Sequence, residues 1–203
     1  REVGEDQFPR QLRRFLDDLG YVTYPWGLGR NKGLKDEDLA LMHQRMKAVF
    51  DEHGQKVSVI GQSLGGVFAR EIARHDPAMV RQVITLGTPY GDPRGTALYN
   101  VMGGLYEHQV EEAALVRWVA HTYSGGKLRV PVLALYSESD GIVGAGIAKC
   151  QGDPRYVTNV AVLASHVGFP FNPVVFAVIA NHMVEPHERW ALCRSAYLRS
   201  WAR

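Results

Sequence analysis

Two hydrophobic periodicities alternate along the chain. Leu12, Phe15, Leu16 and Leu19 recur at helical spacing within residues 7–19, and Gly20 follows as a helix stop. YVTYPW (21–26) is β-branched and aromatic and runs into the Gly-rich WGLGRNKG, which predicts a strand and a loop. Residues 36–53 open with Asp-Glu-Asp, where a helix dipole favours acids, and carry one apolar face of Leu39, Met42, Met46, Val49 and Phe50. KVSVIGQ (56–62) is a short, nearly unbroken apolar run, the signature of a parallel strand covered on both faces. A helix is predicted from Leu64 to His75, closed by Asp76-Pro77. Strands are predicted at 80–86, 130–137 and 156–164, and a last helix near 172–183. Strand and helix in this rhythm predict an α/β fold with a mostly parallel sheet flanked by helices.

Composition narrows the classes. The 203 residues are 46% hydrophobic and 22% charged, which fits one globular domain over 1–203 and excludes disorder and low-complexity arrays. The 23 Lys and Arg against 21 Asp and Glu leave a formal charge of +2, too balanced to steer the chain onto nucleic acid or anionic membrane. The most apolar stretch, 160–180, is broken by His166, Pro170, Asn172 and Pro173, whereas a spanning helix needs about 20 mostly apolar residues. Cys150 and Cys193 make no disulfide framework and fit no metal spacing, so no metal or other cofactor is implied. With no signal peptide at the start, a cytoplasmic location is the expectation.

The chemistry concentrates at Gly61-Gln62-Ser63-Leu64-Gly65-Gly66, between a predicted strand and a predicted helix. A serine on a sharp strand-to-helix turn adopts a strained backbone, so the residues two before and two after it must be small. Gly61 and Gly65 meet that need, and Gly66 permits close packing. The turn would present the Ser63 hydroxyl above the sheet, with free helix N-terminal N–H groups aimed at any oxyanion formed there. A bare G-x-S-x-G is a weak signal; the strand before it and the helix after it give it weight. A phosphate-cradling loop would need G-x-x-x-x-G-K-[ST] or G-x-G-x-x-G, and neither is present.

A serine hydroxyl needs a base, and the base needs an orienting acid. In chain order after Ser63, Asp140 lies in the loop after 130–137, with Glu138 and Asp153 as rivals. Glu138 stays close to the strand end, and Asp153 belongs to a separate Gly-Asp-Pro turn. His166 takes the strand-to-loop position that the base requires. Of the other histidines, His43, His53 and His75 come before or too near the nucleophile, His108 and His121 precede the acid, and His182 and His187 fall in or after the last helix.

GQSLGG, Leu-Gly-Thr-Pro (86–89), YSESDGIV (136–143) and ASHVGF (164–169) together resemble the α/β-hydrolase superfamily, in particular its bacterial lipase and esterase members. PWGLGRNKG (25–33) resembles a loop those proteins carry after an early strand, and the likeness spans about residues 5–183. It implies Ser63 as nucleophile, His166 as general base and acid, Asp140 as its partner and the Leu64 N–H as one oxyanion donor. Many members carry His or Trp where this chain has Gln62, a tolerated difference. The family also places a strand and a Pro-Gly or His-Gly loop ahead of its first helix. The loop supplies a second oxyanion N–H, and the strand lies between those expected here at 21–26 and 56–61. Here a helix begins within ten residues and the chain opens without Met, so the natural protein is expected to carry a further N-terminal segment.

Residues 91–127 depart from the rhythm and carry two apolar helical faces, one of Leu98, Val101, Met102 and Leu105, the other of Leu115, Trp118 and Val119. In the resembling family an insertion here forms a lid, and an apolar inner face would suit an acyl chain; plain core packing is the alternative. The tail, 185–203, is expected to be an amphipathic helix docked on the domain, with a membrane-surface or partner helix as the alternative. The chain is expected to hydrolyse carboxylic esters, its partner being a small-molecule ester or lipid substrate. The same triad also serves thioesterases and acyltransferases, and a non-catalytic binding protein of this fold is the competing class.

Overall fold

The computed structural model describes residues 10–27, 36–90, 128–184 and 186. The insertion expected at 91–127 and, Pro186 apart, the tail helix expected over 185–203 lie outside them. The elements run α1 (Arg10–Asp18), α2 (Asp36–His53), β1 (Val57–Gln62), α3 (Leu64–His75), β2 (Val80–Leu86), β3 (Val132–Tyr136), the single turn α4 (Ala145–Ala148), β4 (Val157–Ala161), a 3-10 turn (Phe169–Phe171) and α5 (Pro173–Val184). The four strands form one parallel sheet in the order β1-β2-β3-β4. Gln62 pairs with Leu86, Leu86 with Leu135 and Leu135 with Val160. All four carboxyl ends therefore lie along one edge, where open α/β sheets bind ligands.

The apolar strands are explained by cover on both faces. Leu133 and Leu135 of β3 face a core shared with Leu12 and Leu16 of α1, Phe169, and Val175, Val178 and Ile179 of α5. Val132 and Ala134, one residue out of phase, face the opposite core of Met42 and Met46 from α2 and Phe68, Ala69 and Ile72 from α3. Phe169 is fully buried, a gain of about 1.5–3 kcal/mol from apolar area alone. Asn172 begins α5: its Oδ1 accepts from the Val174 N–H at 2.9 Å, while its Nδ2 donates to the Leu163 carbonyl at 2.8 Å. Arg81 holds the other end of α5, donating to the Met183 carbonyl at 2.8 Å.

Two expectations need correction. Residues 21–26 join no ladder. Their side chains instead dock on helices: Thr23 donates to Asp17 at 2.7 Å, the Tyr24 hydroxyl meets Glu52 at 2.9 Å, and Trp26 lies against Phe68. Strand propensity needs an edge to pair with, and tertiary packing has overridden it. Leu19 belongs to the helical pattern but lies past the end of α1 and is exposed, because Gly20, at φ +89°, has already turned the chain.

Candidate active site

Ser63 sits between β1 and α3 with φ 51° and ψ −126°, and among the described residues no other non-glycine residue has positive φ. Such a backbone costs on the order of 1–3 kcal/mol and persists only where its surroundings hold it. The Ser63 N–H donates to the Leu86 carbonyl at 2.9 Å, tying the turn to the end of β2, and the Gly66 N–H donates back to the Ser63 carbonyl at 3.0 Å. A Cβ on Gly61 would run into the Gly65 backbone, and one on Gly66 into the Thr88 side chain. A Cβ on Gly65 would meet nothing within 4 Å. The size constraint expected on both sides of the serine thus falls on Gly61 and Gly66. Ser63 remains half-exposed. Leu64 opens α3, so its N–H is among the first-turn amides that have no intrahelical partner.

At the other end of the sheet, Asp140 Oδ2 lies 2.8 Å from His166 Nδ1. The Asp140 side chain is wholly shielded from solvent and the His166 side chain is 10% exposed. Asp140 Oδ1 accepts from the Ile142 and Val143 N–H groups, both at 2.9 Å, so the carboxylate is a fixed acceptor. A carboxylate can only accept, which puts a proton on Nδ1 and, in the neutral imidazole, leaves the lone pair on Nε2.

Three residues bring these parts together, and none was singled out for this from the sequence. Ser137, buried at the end of β3, accepts from the Ser139 N–H at 3.1 Å and the Ala164 N–H at 3.2 Å, joining the Asp140 loop to the His166 loop. Gly87, at φ +52°, ends β2; a Cβ there would lie 2.8 Å from Asp140 Oδ2, 2.9 Å from the Phe169 ring and 3.2 Å from His166 Nδ1. Its bareness lets the Asp140–His166 pair lie over the strand end. Gln62 Nε2 donates to the His166 carbonyl at 2.6 Å, although β1 and β4 are separated by two strands. The difference at Gln62 therefore does more than the tolerated change expected. The available signals are a hydroxyl at a strand end and a glycine in Leu-Gly-Thr-Pro, but Ser137 meets Ala164 27 residues away, and Gly87 meets Asp140 and His166 53 and 79 residues away, counting from 87 to 140 and from 87 to 166.

The rival acids lie elsewhere. Glu138 points to solvent near Lys149, and Asp153 pairs with Arg155. His43 meets Asp76, His53 meets Tyr24, and the fully buried His182 meets the Val178 carbonyl; His108, His121 and His187 lie outside the described residues. Beneath the strand ends, Tyr90 is hydrogen-bonded to Thr85 at 2.6 Å. Burial pushes its phenol well above the ordinary value, with Cys150 adding to the shift, and burial likewise raises the Cys150 thiol. Among the described residues no group of three or more His, Cys, Asp or Glu could hold a metal, and no helix is long and apolar enough to cross a membrane.

No protein-family model and no curated protein matches the sequence. Solved structures do match the architecture. The esterase domain of a Rhodothermus marinus protein is 21% identical with a TM-score of 0.55, over 93% of this chain and 80% of that one. The mature Bacillus licheniformis lipase BlEst2 is 17% identical with a TM-score of 0.55, over 75% and 76%. MGS-MChE2, an α/β hydrolase from a metagenome of lagoon sediments at Mar Chica, Morocco, is 15% identical with a TM-score of 0.51, over 71% and 68%. The chain has the α/β-hydrolase fold. In this α/β-hydrolase sheet the strained Ser63 turn, the Asp140 loop and the His166 loop all leave the same carboxyl edge.

Proposed function

We propose that the chain is a serine hydrolase of carboxylic esters, of esterase or lipase type, working through an acyl-enzyme on Ser63. The observation that carries this reading is the buried 2.8 Å hydrogen bond from His166 Nδ1 to Asp140, in a loop whose backbone is bonded to Gln62, the residue next to Ser63. Ser63 Oγ attacks the ester carbonyl while His166 Nε2 takes its proton. Asp140 keeps the imidazole in the required tautomer and stabilises its charged form. The oxyanion receives the Leu64 N–H, a donor of the kind worth about 3 kcal/mol in the transition state. His166 then protonates the departing alcohol, and water activated by the same imidazole releases the acid.

A fluorophosphonate probe tests the chemistry. Wild type is expected to be labelled and Ser63→Ala unlabelled; an unlabelled wild type, or equal labelling of Ser63→Ala, overturns the reading. A p-nitrophenyl ester series then separates the two types. Activity confined to acetate and lost by octanoate leaves a small-ester esterase and removes the lipase.

A further inference from the structure

We propose that Gln62 is a positioning residue that sets where His166 stands relative to Ser63. The proposal rests on the serine-hydrolase reading above. His166 is held at two points: its ring Nδ1 on Asp140 at 2.8 Å and its own carbonyl on the Gln62 amide at 2.6 Å. One point alone leaves the ring free to swing about the other, and the two together fix the direction of Nε2. Ser137 anchors the root of the base loop, at Ala164, to the end of β3, but β2 lies between that strand and β1, which carries the nucleophile turn. Gln62 supplies the other anchor from β1, one residue before the serine, so nucleophile and base share a single rigid reference. A carbonyl can only accept, so the Gln62 group required is an N–H donor at the reach of Nε2. Displacing a catalytic group by about 1 Å costs up to about 100-fold in rate, which makes such an anchor visible in kinetics.

The test compares four proteins by fluorophosphonate labelling rate, by kcat and KM on p-nitrophenyl acetate, and by thermal unfolding. Gln62→Met keeps length and volume but removes the donor; Gln62→His restores an N–H the same number of bonds from the backbone. Gln62→Met is expected to lower both the labelling rate and kcat about tenfold or more, with KM within about twofold. Gln62→His is expected to recover to within about threefold of wild type. Should the Met variant fail to fold, Gln62→Asn, polar but one methylene too short, is expected to show the same loss. A Met or Asn variant with wild-type kcat, or a His variant as slow as Met, overturns the positioning role while leaving the serine-hydrolase reading intact. An unlabelled wild type overturns both.

Discussion

The two halves of the site are built on different principles. The Ser63 turn is local: six consecutive residues, a strand before and a helix after, with strain tolerated because Gly61 and Gly66 leave room for it. The acid–base pair is non-local. Asp140 and His166 come from two loops 26 residues apart and are joined by Ser137, by the gap over Gly87 and by the Gln62 amide. In the first half the backbone carries the specification, and side chains matter mainly where they are absent. In the second, hydrogen bonds between distant loops carry it. Substitutions should therefore hurt the turn through stability and the pair through rate.

The largest effect is expected at Asp140→Asn. The amide still accepts from Ile142 and Val143 through Oδ1, so the fold should survive. Its NH2, however, now faces His166 Nδ1 and forces the proton onto Nε2, the atom that must be free to receive one from Ser63. A kcat loss of about 10⁴-fold, about 5 kcal/mol on the barrier, is expected with an unchanged thermal unfolding midpoint. A loss below tenfold would remove tautomer control from the non-local half.

The next effect reverses the pattern. Gly61→Ala places a methyl in the Gly65 backbone and should cost about 3 kcal/mol or more in denaturant unfolding. Gly65→Ala enters open space, with nothing within 4 Å, and should stay within about 1 kcal/mol of wild type. Equal losses at the two glycines would show that the strain is not held where the geometry puts it.

This division also explains what could be read from the chain. Strands 57–62 and 80–86 and helix 64–75 were visible because their pattern is short-range and their packing, covered on both faces, leaves no competing period. The chain order Ser63, Asp140, His166 is legible because each of the three follows a strand. The pattern failed where context decides. YVTYPW has strand chemistry, but Tyr24 and Trp26 find partners on α2 and α3. Gln62 looked interchangeable because its partner is 104 residues away. Gly65 is the small residue expected two positions after the serine, yet the crowding on that side falls on Gly66, against Thr88.

Ser137→Ala gives the smallest effect and the finest test of the contrast. The hydroxyl accepts two backbone N–H groups, from Ser139 on the acid loop and Ala164 at the root of the base loop, at a position only 1% exposed. Removing it leaves two amides without that acceptor, with room for about 1–3 kcal/mol of destabilisation. Because the hydroxyl's hydrogen bonds are to the backbone amides of Ser139 and Ala164, the rate effect should be smaller than that of Asp140→Asn by at least about two orders of magnitude. The two loops should also open more readily, and amide hydrogen exchange at Ser139 and Ala164 reads that directly. Faster exchange at both amides, with the Ser63 turn unchanged, would show the halves to be separable. Faster exchange at Ser63 as well would mean that the turn leans on the loops, and the distinction between a local and a non-local half would fail.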